Sequence, residues 1–97
     1  MDEDENIMAV RVVVAGRVQG VWYRGWAADQ ATSKGLRGWV RNRRDGAVEA
    51  LFVGNRISVR DMIEACREGP RMAEVTAIKE SPATDDGEPG FRQLPTV

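Results

Sequence analysis

The hydrophobic period of this chain changes once between residues 10 and 31, and the change falls across a pair of glycines. Val10, Val12 and Val14 repeat every second residue, which places them on one face of a strand. Tyr23, Ala27 and Ala31 repeat every fourth, which places them on one face of a helix. Gly16 and Gly20 lie between the two patterns. Small alanines on the inner face let such a helix lie close against the sheet that its own strand enters. The chain is therefore committed near its start to a strand, a tight glycine loop and a helix folded back.

The remaining periods fill out the frame. The first strand reads as Ile7 to Ala15, with Arg11 on its second face, which predicts a sheet open to solvent on that side. The helix reads as Arg24 to Lys34, closed by Gly35. Leu36–Arg43 and Ala47–Val53 read as a hairpin around Asp45-Gly46, with Val48, Ala50 and Phe52 facing the core. Asn55 or Ser58 can cap a second helix, whose Val59, Met62, Ile63 and Cys66 form an apolar stripe that ends at Gly69-Pro70. Ala73–Ser81 is a further strand. Its Val75 and Ile78 are three apart, which breaks alternation and points to a bulge. After an acidic loop at 85–90, Phe91–Leu94 adds a short strand. The order β-α-β-β-α-β is that of an α+β, ferredoxin-like split β-α-β sandwich, with an antiparallel sheet and two helices on one face. Residues 1–6 are expected to form a disordered acidic tail and residues 7–97 a single domain.

Residue usage restricts the chemistry. The chain has no histidine, which removes Ser-His and Cys-His nucleophile pairs and nearly all zinc sites. One cysteine allows no internal disulfide, and Cys66 reads as core. No apolar run approaches the ~20 residues that span a bilayer, and the N-terminus is acidic, the reverse of a signal peptide; a cytoplasmic protein is expected. Four of the 15 acidic residues lie at positions 2–5, so the remaining 11 leave the body at +3 against 14 basic residues. That weak bias suits a small anion better than nucleic acid.

The anion has a candidate site. Glycines at a strand-to-helix corner let the backbone turn inward and aim several N–H groups at one spot. The first turn of the helix adds partial positive charge, and Arg24 adds a forked guanidinium. Together these make a cradle for a tetrahedral anion, with a glycine loop and a surface arginine as the plainer reading. No Gly-Lys-Ser/Thr follows, so it is no Walker loop, and no third glycine makes it a dinucleotide loop. A second stretch, Gly38-Trp39-Val40-Arg41-Asn42, precedes the hairpin turn. Taken alone, Asn42 reads as a turn residue bonding its own backbone.

The two stretches together closely resemble the acylphosphatase family. Gly16, Val18, Gln19, Gly20, Val21, Tyr23 and Arg24 match the fixed positions of its first motif, and Gly38, Trp39, Val40, Arg41, Asn42, Gly46, Val48 and Gly54 those of its second. The likeness runs from about Val10 to Pro95, leaving out the acidic leader and the loop from Pro82 to Gly90. It implies an enzyme that hydrolyses the carboxyl-phosphate anhydride of small acyl phosphates, without metal or organic cofactor. The phosphoryl group would sit on backbone N–H groups around Arg17, Val18, Gln19, Gly20 and Val21. Arg24 would clamp it, and Asn42 would hold the attacking water. The implied partners are the acyl phosphate and the inorganic phosphate product, with no nucleic acid, no membrane and a monomeric chain.

Two other classes stay open in the sequence. One is a non-catalytic anion-binding module. The other is RNA binding on the open sheet face through Arg37, Trp39, Arg41, Arg43 and Arg44, although clustered aromatics on the central strands are missing. The Arg41–Arg44 cluster reads as a solvated strand end, the acids at 85–88 as loop solvation, and the three tryptophans as packing residues.

Overall fold

Alternating valines hold the first strand at the centre of the molecule. In the computed structural model, which describes residues 6–97, β1 runs Ile7–Arg17, α1 Tyr23–Ser33, β2 Arg37–Asn42, β3 Val48–Asn55, α2 Arg56–Glu68, β4 Glu74–Pro82 and β5 Phe91–Gln93. The expected tail at 1–6 lies outside the described residues except for Asn6. One five-stranded sheet has the order β4-β1-β3-β2-β5. Strands β1 to β4 pair antiparallel as expected, but β5 adds to β2 in parallel, so the sheet is mixed. The parallel pairing follows from the route of the chain, which crosses from β4 at one edge to the outside of β2 at the other.

The two helices share one face of the sheet. Val10, Val12, Val14, Val40, Ala50 and Phe52 meet Tyr23, Ala27 and Ala31 of α1 and the complete α2 stripe Val59, Met62, Ile63 and Cys66 in one buried core. Asn55 caps α2 by accepting from Ile57 N–H at 2.9 Å. The expected bulge is present. Ala15 pairs with Ala77 but Gly16 with Val75, so Thr76 is the extra residue. An added Cβ on Gly16 would collide with the backbone of Glu74 and Thr76, so β4 closes tightly over the end of β1. Cys66 is buried as expected. Desolvation pushes its thiol up to about 12, against the hydrogen bond from Tyr23.

The second face is not the open solvated surface that Arg11 suggests. On β3 the outward residues Glu49, Leu51 and Val53 are also buried, at 4%, 4% and 0% exposure. Glu49 lies between two guanidinium groups, with Arg11 Nε at 2.5 Å and Arg41 Nε at 2.8 Å, and Arg41 also stacks 4.5 Å from the centre of the Trp39 ring. Two acids of the 83–90 connection, Asp85 and Asp86, are anchors rather than loop solvation. Arg37 grips both oxygens of Asp85, and Arg92 holds Asp86 at 2.7 Å. Pairing puts Arg37 beside Val53 and Arg92 beside Trp39, so both anchors stand on this face and draw the connection across it. The Arg37 fork and the Gly87 N–H lower the Asp85 carboxyl to about 2.

Burial by itself would raise the Glu49 carboxyl, but the hydrogen bonds and charges of Arg41 and Arg11 outweigh it and hold the group below the usual glutamate range. A carboxyl depressed in the folded state contributes stability above its unfolded value, about 4.3, and loses it as pH falls through the lower folded value. Glu49→Gln should therefore cost about 1.5–3 kcal/mol at pH 7. Its urea midpoint should also fall less steeply below pH 4.3 than that of the parent. Parallel midpoint-versus-pH curves for the two proteins would refute this role for Glu49.

Candidate active site

Two motifs lying some twenty residues apart meet in one cleft of about 180 Å³. Val18, Gln19 and Gly20 of the β1–α1 loop form one wall, and Trp22, Tyr23, Arg24 and Gly25 at the start of α1 form the second. Asn42 at the end of β2 and Gln93 of β5 complete it. The volume lies below the roughly 300 Å³ where drug-sized pockets begin, so the space suits a group of few atoms.

The loop takes its shape from residues that local sequence can specify. Gly20 has φ 74°, a left-handed conformation that glycine enters without a Cβ penalty. Val18 is fully buried and pins the loop to the core. At the N-terminus of α1, Trp22 makes no side-chain capping bond and the first turn holds no acid. The opening N–H groups of the helix are left unclaimed by a cap, and the dipole there is not offset by a carboxylate. Tyr23 bridges the helices through a 2.6 Å bond from its hydroxyl to the Cys66 carbonyl oxygen, and burial raises its phenol far above the usual range.

Gln19 joins the two motifs. Its side-chain amide donates to the carbonyl oxygens of Arg43 at 2.7 Å and Ala47 at 2.8 Å, on the two sides of the β2–β3 turn. The side chain is thus a tether through its Nε2 hydrogens. The tether brings the hairpin that carries Asn42 against the loop.

Arg24 lines the cleft, half-buried, and among the described residues no carboxylate pairs with its guanidinium. Asn42 does not do the work of a turn residue. Asp45 takes that part, accepting from Ala47 N–H at 3.0 Å. The Asn42 backbone is held in the sheet and by Val97 N–H at 3.1 Å, while its Oδ1 is buried without a hydrogen-bond partner among the described residues. A buried acceptor left open beside a cleft is one that a bound molecule can satisfy.

The side chains of two residues expected in the cradle turn elsewhere: Arg17, at the end of β1, is exposed and lies opposite Glu74 of β4, and the Val21 side chain packs against the core, so any part these two play in the cradle falls to their backbone N–H groups. Trp22, Gly25 and Gln93 were not expected in it. Gln93 arrives only through β5, which the Phe91–Phe52 stack at 5.7 Å and the pairing of Gln93 with Val40 hold in place. Among the described residues no carboxylate, cysteine or histidine lines the cleft. Among the described residues no cluster of three or more metal-ligating side chains occurs. The walls offer N–H donors, one guanidinium and amide oxygens, a set that can hold an anion and orient a small polar molecule beside it.

Known proteins share this frame. The sequence profile described as acylphosphatase matches residues 10–93. The acylphosphatase of Rhodospirillum rubrum is 50% identical over 86 residues, covering 89% of this chain and 94% of its own. An acylphosphatase structure from Coxiella burnetii superposes with a TM-score of 0.91 at 31% identity, over 97% of this chain and 99% of that one. The acylphosphatase structure from Bacillus subtilis gives 0.86 at 34% identity, over 90% and 98%.

The tether predicts an order of damage. Gln19→Ala should lower stability by about 1–2 kcal/mol and weaken inorganic phosphate binding. Gln19→Glu should be worse, because a carboxylate would face two carbonyl oxygens. Urea denaturation and a phosphate titration of both variants test this, and a Glu variant as stable as the parent would contradict it.

Proposed function

This chain belongs to the acylphosphatase family and is an acylphosphatase, and from that premise we propose how its own residues hydrolyse acyl phosphates. The phosphoryl group sits in the cleft, on the backbone N–H groups of the Val18–Gly20 loop and the opening turn of α1. Arg24 lays its planar fork on the phosphoryl oxygens. Asn42 Oδ1 accepts a hydrogen bond from one water and turns the lone pair of that water toward phosphorus. The observation that carries this reading is the unpartnered, buried Asn42 Oδ1 beside an Arg24 that no carboxylate among the described residues claims.

The chemistry asks for little more. The water oxygen bonds to phosphorus as the bridging P–O bond breaks, and the bonding pair leaves with the carboxylate. Carboxylate is a good leaving group, so positioning and charge stabilisation supply most of the catalysis. The chain has no histidine, and among the described residues no carboxylate lines the cleft, so we assign the proton of the water to a phosphoryl oxygen of the substrate. Fixed donors around the equatorial oxygens are worth most in the transition state, where charge redistributes.

The paired guanidinium groups speak against RNA binding on the second sheet face. Of the arginines such a surface would use, Arg37 is committed to Asp85, Arg41 to Glu49 and Arg43 to Asp45, which leaves Arg44 as the one without a carboxylate partner among the described residues.

The division of labour separates in mutants. Asn42→Ala should bind inorganic phosphate within a few-fold of the parent, yet lose about 10²–10³ in kcat on acetyl phosphate. Arg24→Ala should lose both affinity and kcat, and Arg24→Lys should recover little, since an ammonium has no fork. Kinetics, phosphate titration and melting temperature on each variant decide. A normal kcat in Asn42→Ala with a lowered melting temperature would make Asn42 structural. A loss of phosphate affinity matching the loss of rate would make it a binding residue.

A further inference from the structure

Of the large hydrophobic side chains exposed among the described residues, Trp22 is the one that lines the cleft. It is 63% exposed. The other two tryptophans have partners: Trp26 packs against the core beside Tyr23, and Trp39 carries the Arg41 guanidinium. A single exposed aromatic is ordinary on a protein surface, but this one is held there at a cost. Trp22 has φ 66° and ψ 24°, and is the one non-glycine residue with positive φ among the described residues. For a bulky side chain that conformation is an outlier, and such strain persists where surrounding structure enforces it.

Gly25 supplies the second unfavourable choice. A glycine in the first turns of a helix weakens it relative to alanine. An added Cβ there would fall on the Trp22 indole, at Nε1, Cδ1 and Cε2. The missing side chain is therefore the space that the indole occupies. Two neighbouring positions each forgo local stability, and the joint result is an indole seated at the rim of a polar cleft.

From this we propose that Trp22 is a specificity-determining residue. Its indole forms an apolar wall for the acyl group of the substrate and favours acyl phosphates with planar aromatic acyl groups over acetyl phosphate. The inference rests on the acyl phosphate reading above. A cleft of about 180 Å³ lined by Arg24, Gln19 and Asn42 has room for the phosphoryl end, and the acyl end must project toward the rim. An aryl group there shelters ring surface against the indole, which a methyl group does only slightly.

The test compares kcat/KM on benzoyl phosphate and on acetyl phosphate. Three variants are informative: Trp22→Asn, which tolerates the left-handed backbone without an indole; Gly25→Ala, which keeps the indole but displaces it; and Trp22→Phe, which keeps an aromatic ring. The benzoyl-to-acetyl ratio should fall about tenfold in Trp22→Asn, fall in Gly25→Ala, and be mostly retained in Trp22→Phe. A ratio unchanged in both Trp22→Asn and Gly25→Ala overturns the proposal. Equal losses on the two substrates are one such result, and would make Trp22 a support of the loop. Should Trp22→Asn fail to fold by circular dichroism, the Gly25→Ala ratio decides. A parent protein that hydrolyses neither substrate defeats the acyl phosphate reading itself, whereas a parent active on both with invariant ratios defeats only the role of Trp22.

Discussion

One side-chain amide holds the site together. Neither the glycine loop nor the β2–β3 hairpin contains a complete site, and Gln19 spans the gap between them to Arg43 and Ala47. Two hydrogen bonds at 2.7 and 2.8 Å turn a flexible loop and a turn into opposite walls of one cleft. Their net worth in stability is small, because both partners would otherwise bond to water. Their worth in geometry is larger, since positioning is most of what an already activated anhydride requires. Val18 from below, and Tyr23 through the Cys66 carbonyl, hold the same loop and helix start from the core side. The site is thus built on rigid elements, with Arg24 on α1 and Asn42 on β2, although part of its wall comes from a loop.

The opposite face of the sheet solves a different problem. β3 is central, so its outward residues are flanked by strands on both sides, and any polar group there loses water. Glu49 remains charged because Arg11 and Arg41 replace that water with hydrogen bonds. Burial and pairing oppose each other at this carboxyl, and pairing wins. Farther along the same face, Arg37 and Arg92 fasten the 83–90 connection as it crosses between the sheet edges. That crossing delivers β5, and with it Gln93, to the cleft on the far side of the molecule. A network remote from the chemistry thereby supports one wall of the site.

Trp22 and Gly25 show how function and local stability part company. Each breaks a local rule, one in backbone conformation and one in helix propensity. Both stand beside the cleft rather than in a remote loop. Gly16 differs in kind: its lost Cβ admits the backbone of β4 and belongs to the sheet.

The order of elements, the valine face of β1, the α2 stripe and the bulge in β4 were determined by the sequence alone. Hydrophobic period is a local property, and each of these follows from residues within a few positions of one another. The two motifs and the chemistry they imply were equally legible through resemblance, since their spacing is written along the chain. What the tertiary structure decided is whatever depends on partners far away in sequence. Gln19 bonds residues 24 and 28 positions distant, and Arg37 grips an aspartate 48 positions on. The parallel pairing of β5, the burial of Glu49, the anchoring role of Asp85 and Asp86 and the entry of Gln93 into the cleft all come from strand register and chain crossing. Register is set by pairing between distant segments, so no local pattern of residues could have specified it.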